Sequence, residues 1–182
     1  MPVAQRYVAF LRAINVGGHT VKIDRLRADF EALRLRDVST FIASGNVLFS
    51  SPAADRADLE GRIERRLERS LGYAVATFLR TPAELAALVR DEPFADRDPA
   101  TTLWVGFVKT LIAPEARDRL LALRTALDDF AVRGSEAFWL RRERSMAQLV
   151  TGAKIDRALA SPTTFRNVTT VRKLAQLMAE DA

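Results

Sequence analysis

Two short polar stretches carry the residue types best suited to holding a ligand. Leu11-Arg12-Ala13-Ile14-Asn15-Val16-Gly17-Gly18 closes an apolar run that begins at Tyr7, and it leads through His19 to a helical pattern near Ile23. Ser44-Gly45-Asn46 separates two further apolar runs. Arginine brings a permanent charge and a fork of N–H donors, while serine and asparagine bring both donors and acceptors. Glycine permits positive φ and lets another group approach the backbone closely. An apolar strand, a Gly-Gly turn and a helix in that order can build a ligand-facing loop. Arg12, His19 and Lys22 around Gly17 and Gly18 would favour an anion such as a phosphate. The spacing is not that of a Walker-type loop, and neither a nucleophile elbow nor a metalloprotease helix is present. The same residues also have a plainer reading. Ser-Gly-Asn is ordinary hairpin chemistry, and a lone loop histidine is usually a surface residue. His19 has the pKa range of a general base, but the sequence sets no carboxylate or nucleophile beside it.

Composition bounds the chemistry further. The chain has 182 residues, no cysteine and one histidine, so disulfides, thiol catalysis and the usual Cys/His zinc sites are excluded. No metal and no cofactor is called for. An apolar share of 48% with 28% charged residues is that of an ordinary globular protein able to bury a core. No signal-peptide pattern opens the chain and no apolar run is long enough to span a bilayer, so a cytoplasmic location with no membrane contact is expected. The net charge of +5 suggests an anionic partner. Of the 28 cations 24 are arginine, a skew that GC-rich coding also produces. Nucleic acid is therefore a possible partner but not the favoured one. Oligomeric state is not readable.

Periodicity and turn signals supply the elements that must position these residues. The first half reads as strand 6–14, helix 23–34, strands 38–43 and 46–50, helix 55–71, strand 74–80 and helix 82–91. Asp24 is a candidate cap for the first helix, whose inner face is Leu26, Phe30 and Leu33. Leu59, Ile63, Leu67 and Leu71 form one stripe, stopped by Gly72. Thr81-Pro82-Ala83-Glu84 is a capping box. Residues 94–100 carry charge and a proline without periodicity and read as a linker. The second half repeats the order: strand 101–109, helix 114–127, a hairpin of 130–133 and 136–142 turning at Gly134-Ser135, a helical region ending near Ala160, strand 163–165 and a last helix. Ser145 to Gln148 is a weaker capping box before that helical region. The expected class is α+β, with two ferredoxin-like βαββαβ subdomains packed together, each with a trailing helix. Their expected bounds are 1–95 and 100–182.

That topology gives the two polar stretches a shared location. The first strand of a ferredoxin-like sheet lies antiparallel to the third and fourth. Its C-terminal end therefore sits at the same edge as the turn between strands two and three. Arg12, Asn15, Gly17, Gly18, Ser44, Gly45 and Asn46 are the candidate ligand-binding residues on this ground. A second candidate anion site is Arg166, Asn167 and Lys173, where a helix N-terminus meets an arginine. The plainer reading there is a cap by Asn167. Trp104, Phe138 and Trp139 with Arg141 could stack bases as RNA-recognition modules do, although core packing is the readier role for them.

The chain also resembles a known family. The stretch at 11–18 and the Ser44-Gly45-Asn46 turn are similar to motifs of the bacterial family of unknown function numbered 1697. So are Asp91-Glu92-Pro93-Phe94 and Thr164-Phe165-Arg166-Asn167-Val168-Thr169-Thr170-Val171. The resemblance runs from about Arg6 to Ala179. It implies a pair of ferredoxin-like subdomains and no established activity. Two departures stand out: Ala13 replaces the family's usual glycine, and Val168-Thr169 replaces its usual Trp-Asn. The expected role is binding of a small polar or anionic ligand at the rim. The alternatives are a nucleic-acid-binding accessory protein and an enzyme on a phosphorylated metabolite, with Arg12, Asn15 and Asn46 positioning it.

Overall fold

Tyr7, Ala9 and Leu11 alternate with Val8 and Phe10 along β1 (Gln5–Leu11), and both sets are buried. The structure, a computed structural model, describes residues 4–14, 20–42, 45–53, 55–142 and 150–180. The chain divides into two compact units, Met1–Ala86 with Leu174–Ala182, and Ala87–Lys173.

In the first unit β1 is followed by α1 (Ile23–Glu31), β2 (Arg36–Thr40), β3 (Asn46–Ser51), α2 (Arg56–Leu71) and β4 (Thr77–Arg80). The antiparallel sheet has the order β2-β3-β1-β4, which is the ferredoxin-like arrangement. Tyr7, Ala9 and Leu11 face Phe30 of α1 and Leu59, Ile63 and Leu67 of α2 in one apolar core. The leucine stripe therefore packs as its spacing predicts, and Gly72 ends α2 in the left-handed conformation at φ 82°. The outer edge of β4 is sealed from its own helix. The N–H groups of Thr77 and Leu79 donate to Glu64 and Glu60 at 2.8 and 2.9 Å, which satisfies donors that no further strand reaches. Helix α3 (Pro82–Arg90) then starts at the predicted capping box.

The second unit repeats this plan with β5 (Thr102–Phe107), α4 (Pro114–Leu121), β6 (Asp128–Arg133), β7 (Glu136–Arg141), α5 (Gly152–Leu159) and β8 (Thr164–Asn167), followed by α6 (Val168–Glu180). Its sheet order is β6-β7-β5-β8. The repeat extends to single bonds. The Thr163 N–H donates to Asp156 of α5 at 2.9 Å, as that of Thr77 does to Glu64. Arg80 and Arg166 each follow three positions later, pair with the equivalent central-strand residues Val8 and Val105, and donate Nη1 to the preceding carbonyl at 2.8 Å. Thr81 and Asn167 come next, and each caps the helix that follows. The fold is thus α+β, built from two similar ferredoxin-like halves.

Several expected boundaries move, for local reasons. β1 stops at Leu11 because Ala13 takes φ 63°, which a strand cannot hold. Asp24 lies inside the first turn of α1 and is not its cap; Lys22 is the cap position, and its side chain makes no capping bond. β4 begins at Thr77, three residues later than its apolar pattern suggests. α4 ends at Leu121 instead of running to 127. The Thr125 hydroxyl accepts from the N–H of Leu127 and of Asp128, at 3.1 and 2.9 Å, and turns the chain into β6. The box proposed at Ser145 and Gln148 lies outside the described residues. Thr151 caps α5 by accepting from the Lys154 N–H. Among the described residues no helix is long and apolar enough to cross a membrane.

Candidate functional site

The loop edge of the first unit is assembled by backbone bonds. The Leu11 N–H donates to the Gly45 carbonyl at 2.8 Å, and the Arg12 N–H donates to Ala76, just before β4, at 2.9 Å. The end of β1, the β2–β3 turn and the start of β4 therefore share one rim. Gly45 has φ 73°, and a Cβ there would lie 3.0 Å from Ile14 Cβ and 3.2 Å from Leu11 Cβ. Glycine is favoured at this position by both its backbone angle and its tight space. The rim holds two further left-handed residues, Ala13 at φ 63° and Ile42 at φ 52°. A β-branched side chain in that region is strained, and such strain gathers at functional sites.

The candidate residues do not share one role. Arg12 is half-buried at the rim. Asn46 is fully buried; its amide Nδ2 donates to the Phe41 carbonyl and its own carbonyl accepts from the Phe41 N–H, both at 3.0 Å. That pair closes the hairpin, which is the plainer of the two roles open to this asparagine. Asn15, Gly17, Gly18, His19 and Ser44 lie outside the described residues. The hollow behind the rim is lined by Ile14, Val21, Leu26 and Asn46 with the half-exposed Ile23 and Ile42, and it measures only about 10 Å³. A ligand meeting the described part of the rim would touch its surface and not enter a cavity.

The second candidate set divides in the same manner. Arg166 is not at the surface: it is 8% exposed, and Nη1 donates to Thr164 Oγ1 at 2.9 Å and to the Phe165 carbonyl at 2.8 Å. Burial pulls its pKa down to about 10, which still leaves it charged at neutral pH. Asn167 Oδ1 accepts from the Thr169 N–H at 2.9 Å and so caps α6. Lys173 is exposed in the second turn of that helix. Of the aromatic set, Phe138 and Trp139 are committed to packing, while Trp104 is half-buried on β5. Phe138 is fully buried, and Trp139 stacks on Phe130, meets Phe165 edge-on and donates Nε1 to Asp128 at 2.7 Å. Arg141 lies over the Trp139 ring, 4.9 Å from its centre, and pairs with Asp128.

Sequence reasoning missed the role of residues 91–101. Glu92, with only 4% of its side chain exposed, is held by Arg97 at 2.6 Å and by Arg172 at 2.8 Å. Arg97 Nη1 also donates to the Phe94 carbonyl, and Asp98 accepts from Ala100 and Thr101. The segment is a cross-braced loop. Its one usable signal was the Asp-Glu-Pro-Phe motif, where an acidic residue precedes a proline in a stretch otherwise rich in charge.

The comparisons with known proteins agree with this architecture. The sequence model of the family described as "Protein of unknown function (DUF1697)" matches residues 4–138. The chain belongs to this family. No protein with a curated description matches the chain. Among solved structures it is similar to a conserved bacterial protein from Streptococcus pneumoniae, with 21% identity and a TM-score of 0.81. That match covers 97% of this chain and 99% of the other. At such identity the likeness speaks for the fold alone. In this DUF1697 chain Ala13, which stands where the family's glycine is expected, takes the left-handed angle that glycine adopts without strain.

Proposed function

We propose that this protein binds a small anionic or polar ligand at the rim of its first unit, held by Arg12 with Asn15, Gly17, Gly18, Ser44 and Gly45. The observation that carries the reading is the 2.8 Å bond from the Leu11 N–H to the Gly45 carbonyl, which joins two loops more than thirty residues apart in sequence. The strained angles of Ala13 and Ile42 beside that bond support it, as does the net charge of +5. Arg12 supplies the charge, and glycine-rich backbone supplies N–H groups that an anion can approach.

A thermal-shift series with inorganic phosphate and nucleoside monophosphates tests it. A ligand that binds only the folded chain raises Tm by mass action. The expected result is a rise for the unmodified chain that disappears in Arg12→Ala and shrinks in Asn15→Ala. A rise left unchanged by both substitutions would remove the site from the rim. Assay of the same ligands for turnover separates a binder from an enzyme.

A further inference from the structure

The second unit contains a cleft of about 460 Å³ between the 94–101 loop and the end of β7. This volume lies within the range of small-molecule sites. Its two walls differ in charge. The loop wall presents Asp96 and Asp98, while the positive charge of Arg97 on that wall is already met by Glu92 at 2.6 Å. The strand wall presents Arg142, which pairs with Asp129 at 3.1 Å but shares that carboxylate with Arg124 at 2.7 Å, so the corner keeps a net positive charge, and 43% of the Arg142 side chain is exposed. Phe94 and Leu140 add an apolar part to the same lining. The loop is set in place by the Glu92 braces to Arg97 and Arg172, so the wall is formed before any ligand arrives. A ligand that suits such walls has a cationic end, an anionic end and an apolar body.

We propose that this cleft binds a small zwitterion with an apolar group, of the size and charge pattern of a free apolar amino acid. The ammonium faces Asp96 and Asp98, the carboxylate faces Arg142, and the apolar group lies against Phe94 and Leu140. The proposal is independent of the rim, since none of these residues belongs to the first unit.

Titration calorimetry on the full chain tests it, with L-phenylalanine and L-leucine as probes. Phenethylamine and 3-phenylpropanoate are the controls that lack one charge each. The expected result is binding of at least one amino acid, with the matching single-charge analogue weaker by about tenfold or more, as loss of one charge-assisted bond requires. Asp96→Asn with Asp98→Asn, and separately Arg142→Gln, should each weaken binding by about tenfold with Tm unchanged. Asn at 98 keeps the oxygen that accepts from the Ala100 N–H, and Asp129 keeps Arg124 as a partner when Arg142 is lost, so these variants fold. Arg12→Ala should bind as tightly as the unmodified chain. The proposal is overturned by no heat from either amino acid at millimolar concentration. It is equally overturned by analogues that bind as well as the zwitterion, or by affinity that Arg12→Ala removes and the cleft variants leave intact.

Discussion

Gly45 and Gly106 show how a single missing Cβ sets a local structure. At Gly106 a Cβ would lie 2.6 Å from Phe165 Cε1 and 2.7 Å from Thr163 Cγ2, which forbids the close packing of β5 against β8. Gly106→Ala should cost about 1–3 kcal/mol in a denaturant melt, the ordinary penalty of overpacking. Ala13 is the opposite case, a side chain where the backbone favours none. Ala13→Gly should leave the fold intact and raise stability by about 0.5–1 kcal/mol, because relief of the left-handed strain outweighs the added freedom of the unfolded chain. No rise, or a fall, in the midpoint of unfolding would show that Ala13 is not strained. The positive φ of Gly45 was readable from its Ser-Gly-Asn turn, but the crowding at Gly106 was not, because it depends on Thr163 and Phe165 far along the chain. Ile42 was equally silent, since nothing in its neighbours signals a positive φ.

Element chemistry was far more legible, because caps and stripes are local. The Thr81–Glu84 box, the Gly72 stop and the Leu59-Ile63-Leu67 face all stand as their spacing dictates. Asp24 failed because the first helical turn began one residue before it, at Ile23, leaving the carboxylate inside the helix. Helix α4 ended early because Thr125 offered the backbone a competing bond. The box at α3 makes a pH prediction. Burial pulls the Glu84 carboxyl upwards, but the bonds from Arg56 and from Thr81 outweigh it and hold the pKa below the usual value. A carboxylate with a depressed folded pKa contributes stability that is complete above its unfolded value, about 4.3, and is lost as pH falls through the folded value. Glu84→Gln should therefore lower Tm at neutral pH, and the gap to the unmodified chain should close as pH falls below about 4. A gap that widens in acid would contradict the sign. Thr81→Ala should cost about 1 kcal/mol at any pH where the helix is folded.

For the whole molecule, element order was enough to foresee two ferredoxin-like halves, since the βαββαβ pattern recurs and each sheet follows from it. The correspondence between halves at the level of bonds escaped the sequence. Glu64 and Asp156 stand 13 and 7 residues before the backbone donors they satisfy, so no fixed spacing links them. The division of the chain also has a consequence for truncation. Leu174 and Met178 are fully buried, and the segment from 174 onwards belongs to the first unit. Removing residues 174–182 should thus cost that unit several kcal/mol, at roughly 2–5 for each large buried side chain lost. A circular-dichroism melt should show a large fall in Tm or loss of the cooperative transition, and an unchanged melt would refute the assignment.

The rim is tested most directly by amide NMR of the full chain during titration with inorganic phosphate. Shifts should saturate at Arg12 and Gly45, extend to Asn15 and Ser44, and vanish in Arg12→Ala. Saturating shifts confined to other parts of the chain, or none at any phosphate concentration, would contradict binding at the rim.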